Sequence, residues 1–104
     1  MEYYLSQGNA SATGVVTSEG FVVYKGATIN IKISEKSLTP GMIKLREKHI
    51  AEKHVVDNKT TEDILFNSSS AAAVFVLGYR TSGPATWKTK DGRTLKEIEE
   101  TSTD

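Results

Sequence analysis

Phe66-Asn67-Ser68-Ser69-Ser70-Ala71-Ala72-Ala73-Val74-Phe75-Val76-Leu77-Gly78 is the stretch on which the reading of this chain turns. Three serines precede seven apolar residues, and a glycine follows them. A serine hydroxyl ahead of an apolar run can accept from the unpaired N–H groups of a first helical turn. Gly78 suits the stop, because glycine enters the left-handed conformation on which many helices end. The run has no polar face to offer water. The expectation is a short helix over residues 70–77, buried in the core. Trp87, the single tryptophan of the chain, lies one loop further on and is expected to pack nearby.

Outward from that stretch, turn chemistry punctuates the chain. Upstream, Ala12–Thr17, Phe21–Tyr24 and the alternating Ile29, Ile31 and Ile33 read as three strands, separated by Ser18-Glu19-Gly20 and Lys25-Gly26. Links this short permit hairpins and exclude crossovers. A three-stranded antiparallel meander over residues 12–33 is therefore expected. Before it, Tyr3-Tyr4-Leu5 can form a short edge strand, and Ser6-Gln7-Gly8-Asn9 reads as a turn. Thr39-Pro40 opens a helix: a capping hydroxyl, then proline where a missing N–H costs nothing. That helix should span residues 40–53, with Met42, Ile43, Leu45, His49 and Ile50 on its apolar arc.

Arg46 falls in the middle of that arc. Two readings stay open for it: a stem on the core edge whose head reaches an acid or carbonyls, or a cation aimed at a bound anion. Further on, residues 54–57 read as a short strand turned by Asn58-Lys59. Gly83-Pro84 marks a loop, Thr86–Thr89 a strand, and Lys90-Asp91-Gly92-Arg93 a hairpin turn. Residues 94–100 read as a last short helix. The whole is α+β: a small, mainly antiparallel sheet packed with a longer and a shorter helix.

Composition narrows the function classes. The 104 residues suit one domain, divided as an N-terminal extension (1–11), a body (12–98) and an acidic polar tail (99–104). There is no cysteine, which removes disulfides, zinc–thiolate sites and thiol catalysis. No run approaches the length of a membrane span. The first residues lack the pattern of a secretory signal, so a cytoplasmic location is expected. Thirteen Lys and Arg balance thirteen Asp and Glu. Four acids lie in the last eight residues, however, leaving nine against all thirteen bases in residues 1–96, a net +4. A basic body with an acidic tail is compatible with nucleic acid without requiring it.

Few residues invite chemistry. His49 and His54 are five apart; on one helix they would take different faces, which argues against a metal site and for surface histidines. The run Ser68–Ser70 lacks a nearby partner base, and helix capping accounts for it. The same free N–H groups and dipole make Ser68 and Ser70 candidates for a phosphate contact. Arg80, Lys88, Lys90, Arg93 and Lys96 fall within seventeen residues, with Tyr79 and Trp87 among them. Cations beside aromatics suit phosphate contact and base stacking. The competing reading is a solvated basic face with Trp87 in the core.

Several of these segments together carry a resemblance. Ala12-Thr13-Gly14, residues 19–27, Asp63–Ala72, Val76-Leu77-Gly78, Gly83 and Trp87–Leu95 come in the order found in the domain of unknown function 4357 family, over about residues 12–98. Ser69 stands where that family's pattern usually has a proline, and Ser82-Gly83-Pro84 where it usually has Asn-Gly-Trp. Members commonly sit behind a GIY-YIG nuclease domain, and the family looks related to the RAMA domains that accompany restriction and methylation enzymes. The resemblance implies a non-catalytic accessory domain, without cofactor or metal, that binds DNA and partners a nuclease or restriction–modification protein. The tentative contact residues are Arg46, Ser68, Ser70, Arg80, Trp87, Lys88, Lys90 and Arg93. The alternative is a protein-interaction or dimerisation module that binds no nucleic acid.

Overall fold

The computed structural model describes residues 1–30, 32–34 and 36–101. Ile31, Glu35 and the end of the polar tail, residues 102–104, lie outside that description. Four strands, β1 (Glu2–Gln7), β2 (Ala10–Thr17), β3 (Gly20–Val23) and β6 (Ile64–Phe66), form one antiparallel sheet in the order β1-β2-β3-β6. Helices α1 (Pro40–Ala51), α2 (Ser69–Leu77), α3 (Gly83–Thr86) and α4 (Leu95–Thr101) complete it, with a separate hairpin of β4 (Val55–Val56) and β5 (Lys59–Thr60). This is the expected α+β architecture of an N-terminal antiparallel sheet packed against helices.

The apolar stretch does form a helix, one residue longer than expected. Ser68 caps it by accepting from the Ala71 amide at 3.1 Å. Gly78 closes it at φ 81°, in the left-handed region. Ala72, Ala73, Phe75, Val76 and Leu77 are all buried. They fill the inner face of the sheet, where Tyr3, Leu5, Ala12, Phe21, Val23, Ile64 and Phe66 point inward. Trp87 is fully buried, its ring centre 4.5 Å from that of Phe21.

The meander is present but sits one strand earlier than the sequence suggested. It runs over residues 2–23, with β1 as its first strand, and not over 12–33. In β1, Tyr3 and Leu5 are buried while Glu2, Tyr4 and Ser6 are exposed. Tyr4 reads as apolar and so masks that alternation. The segment around Ile29 is no strand. Past Gly26 the chain keeps one bridge to the sheet, Thr28 with Ser11 of β2, and runs beside the β4–β5 hairpin to the end of α2. The Ile29 amide donates to Asn58 O and that of Asn30 to Val76 O. Ile29 is buried in the core and Ile33 half-buried against Gly78 at the end of α2, while Ile31 lies outside the described residues. The place beside β3 is taken by β6.

Smaller shifts have local causes. α1 ends at Ala51, two residues early, and Ile50 is exposed. The β4–β5 turn is Asp57-Asn58, both at positive φ (52° and 64°), one residue ahead of the expected Asn58-Lys59. Gly83-Pro84 opens the single turn α3 where a loop was expected, and Thr86 belongs to that turn and not to a strand. Gly83 is held against the start of α2: a methyl group on it would overlap the backbone of Ser69 and Ser70.

Candidate nucleic-acid interface

The segment after α3 is a small hairpin laid along the edge of the sheet. The Tyr4 amide donates to Lys88 O (2.6 Å) and the Lys88 amide to Tyr4 O (2.9 Å). Lys88 also bridges Thr94. Along this arm Trp87 and Thr89 are buried, whereas Lys88 and Lys90 are exposed. The alternation is that of an extended chain, so the two lysines share one side. Cross-strand partners also share a face, which puts Tyr4 beside Lys88 on the outer surface.

Thr89 holds the turn together. Its amide donates to Arg93 O (2.8 Å), its hydroxyl accepts from the Arg93 amide (3.1 Å), and the same hydroxyl donates to Asp91. The Thr89 hydroxyl and the Arg93 guanidinium, 3.2 Å away, hold the Asp91 carboxyl below the usual carboxylate range. Arg93 is thus partly neutralised, while Lys88 and Lys90 are exposed on the arm. Tyr4 is 38% exposed, and its hydroxyl donates to Glu2 at 3.2 Å. It lines two shallow grooves, one of about 340 Å³ with Lys90 and Arg93 and one of about 290 Å³ with Lys88 and Thr86.

The eight anticipated residues do not come together. Lys88, Lys90 and Arg93 lie on one arm. Arg80 lies elsewhere: its amide donates to Ser37 Oγ (3.2 Å), and it lines a groove of about 380 Å³ between the starts of α1 and α2, with Thr39, Ser70 and Val74. Ser70 Oγ accepts from the Gly83 amide at 3.0 Å. Ser68 serves the α2 cap. Both hydroxyls therefore accept from amides of the chain itself, Ser68 at an exposed position and Ser70 at a half-buried one.

Two residues of the set are interior. The Trp87 indole N–H donates to Ser69 O at 3.0 Å, and with the ring fully buried it offers no face to a base. Arg46 is 5% exposed; its Nε donates to Phe75 O (2.9 Å) and its terminal nitrogen to Asn30 O (2.8 Å). Burial lowers its pKa. Of the two readings of Arg46, the one in which its head reaches carbonyls is realised. Sequence reasoning passed over Tyr4, whose signal was the Glu2–Ser6 alternation.

His49 and His54 also differ from expectation. α1 stops between them, and their Nδ1 atoms meet at 2.9 Å. Among the described residues no group of three or more His, Cys, Asp or Glu side chains could hold a metal ion, and no helix is long and apolar enough to cross a membrane.

Comparison with known proteins agrees with this architecture's sequence pattern in one respect. Neither the curated proteins nor the solved structures contain a match to the chain. Residues 3–99 match the family described as a domain of unknown function, DUF4357. That span takes in β1 through α4, and the chain belongs to the DUF4357 family.

Proposed function

We propose that this chain is a non-catalytic accessory domain that binds nucleic acid through the arm at residues 87–94. The observation that carries the reading is the adjacency of Tyr4 to Lys88, with Lys90 on the same side of the arm. An exposed ring beside lysines suits a strand whose bases are unstacked and whose phosphates run past the cations. A duplex buries its base faces, so single-stranded DNA or RNA is the better fit. The usual setting of the family, behind GIY-YIG nuclease domains and near restriction systems, suggests DNA as the natural ligand and a nuclease as the partner.

Fluorescence anisotropy with labelled single strands and duplexes at low salt tests this. The expected result is single-strand binding in the tens of micromolar, weakened by salt. With three cations engaged, the slope of log K against log salt should be about −2, since each phosphate neutralised on a single strand contributes roughly −0.7. Replacing Tyr4, Lys88 and Lys90 by alanine should abolish it, and the absence of binding by the unaltered chain would reject the reading.

A second reading rests on a different face. Val15, Val22 and Leu65 form a cross-strand row on the outer side of the sheet, and Leu65 is 49% exposed. An apolar row of this kind suits protein association. Sedimentation over a range of concentrations separates the two, because self-association through this row would follow mass action and Leu65→Lys would remove it.

A further inference from the structure

The His49–His54 contact lies outside the surface discussed so far. His49 sits in the last turn of α1, and His54 immediately precedes β4 of the β4–β5 hairpin. Lys53, at φ 62°, reverses the chain between them. The His54 amide donates to His49 O at 2.8 Å, so the backbone fixes the two rings side by side. His49 also meets Phe75 edge-on, with ring centres 5.5 Å apart at 87°. Both rings are half-buried.

The Nδ1 atoms are 2.9 Å apart and the ring centres 5.1 Å apart. The 2.2 Å between those two distances is about one ring radius at each end, so the nitrogens meet head-on. A tetrahedral metal shared by two imidazoles would hold its nitrogens about 3.3 Å apart, with lone pairs converging off that line. The contact has the geometry of a hydrogen bond, and a hydrogen bond between two nitrogens holds one proton. Which ring donates depends on the tautomer; with the His54 proton on Nε2, toward Glu62 3.4 Å away, His49 Nδ1–H donates to the bare His54 Nδ1 in the neutral pair.

Adding one proton leaves the bond intact, because a single hydrogen still lies between the rings. Adding a second puts N–H against N–H. We propose that this contact is a proton-operated latch: it ties the end of α1 to the β4–β5 hairpin until both rings are charged, and then opens and loosens the hairpin. The hairpin in turn holds the segment 27–29, through Thr60 Oγ1 accepting from the Ala27 amide (3.0 Å) and Asn58 O accepting from Ile29 (2.8 Å).

The charges around the latch oppose one another. Burial, then the positive charge of His54, pushes the His49 pKa down, and Lys48 acts in the same direction; Glu52 and Glu62 act against them. Phe75, from α2, supplies only an apolar wall. A histidine with a pKa lower in the folded than in the unfolded chain contributes stability present above the unfolded value, about 6.5, and lost as pH falls below it toward the folded value. Acid is therefore the direction in which the latch yields.

Ring ¹⁵N shifts and amide exchange on the full chain, followed from pH 8 to pH 4.5, test the proposal. The two rings should titrate in two coupled steps. Between the unfolded histidine value, about 6.5, and the second step, the opening constant read from the Ile29, Thr60 and Thr61 amides should rise by up to about tenfold for each pH unit of acidification after correction for intrinsic exchange, since one proton is taken up on opening. In His54→Asn, the neutral amide can accept from a charged His49, and this rise should vanish. Independent titration of the two rings, an unchanged rise in His54→Asn, or displacement of the Nδ1 proton by stoichiometric zinc would each overturn the latch. If His54→Asn does not fold, the titration of the unaltered chain decides the matter by itself.

Discussion

Arg46 Nε donates to the carbonyl of Phe75 across 2.9 Å, and Phe75 lies in the last turn of α2, where helical carbonyls lack intrahelical partners. A cation at that end also meets the negative pole of the helix. The guanidinium lies 5.8 Å from the Phe75 ring centre as well. One side chain from α1 therefore closes α2 and, through Asn30 O, anchors the chain that passes its end.

Replacing Arg46 by methionine keeps the stem and removes the donors. The buried Phe75 carbonyl and the half-buried Asn30 carbonyl lose their charged partner, and the loss should be about 2–4 kcal/mol of unfolding free energy in urea titration. Arg46→Lys should recover part of it, since one ammonium cannot span both carbonyls in the same planar geometry.

Gly83→Ala should destabilise by about 1–3 kcal/mol, because the added methyl meets Ser69 and Ser70 backbone atoms that belong to a buried helix and cannot retreat. Thermal unfolding followed by circular dichroism would register it. A neutral outcome would mean that α3 can move off α2 freely.

Ser68→Ala removes the acceptor for the Ala71 amide and should cost about 1 kcal/mol. Ser69 makes a useful comparison. What the fold draws from it is its carbonyl, which accepts from Trp87, so Ser69→Ala should change stability by only a few tenths of a kcal/mol. Denaturation of both variants under one set of conditions gives the contrast.

Trp87 provides a spectroscopic check. Its burial predicts short-wavelength emission and poor quenching by iodide. Added oligonucleotide should leave that emission nearly unchanged if binding uses the Tyr4–Lys88 surface. Trp87→Phe leaves Ser69 O without its donor, removes part of the ring, and should cost about 1–3 kcal/mol.

How far the site was legible follows from the range of each interaction. Ser68 and Gly78 act within one turn of their own helix, and their roles could be read from their neighbours. The in-and-out order of Lys88 and Lys90 was legible in part, as the Asp91-Gly92 turn implied an extended arm. Tyr4 was not found, because its partner Lys88 is 84 residues away and no local pattern joins them. Arg80 was grouped with Lys88 on nearness in sequence, and the turn of α3 between them separates the two grooves.

By itself the sequence determined the α+β class, the buried alanine-led helix with its two caps, and the absence of any cysteine chemistry. These depend on residue type and short-range spacing, which a chain carries with it before it folds. Only the tertiary structure decided which strand neighbours β3, what the Ile29 side packs against, where the head of Arg46 goes, and that His49 faces His54. Each of those is a contact between segments far apart or turned toward each other by a chain reversal, and burial in the assembled core selects it.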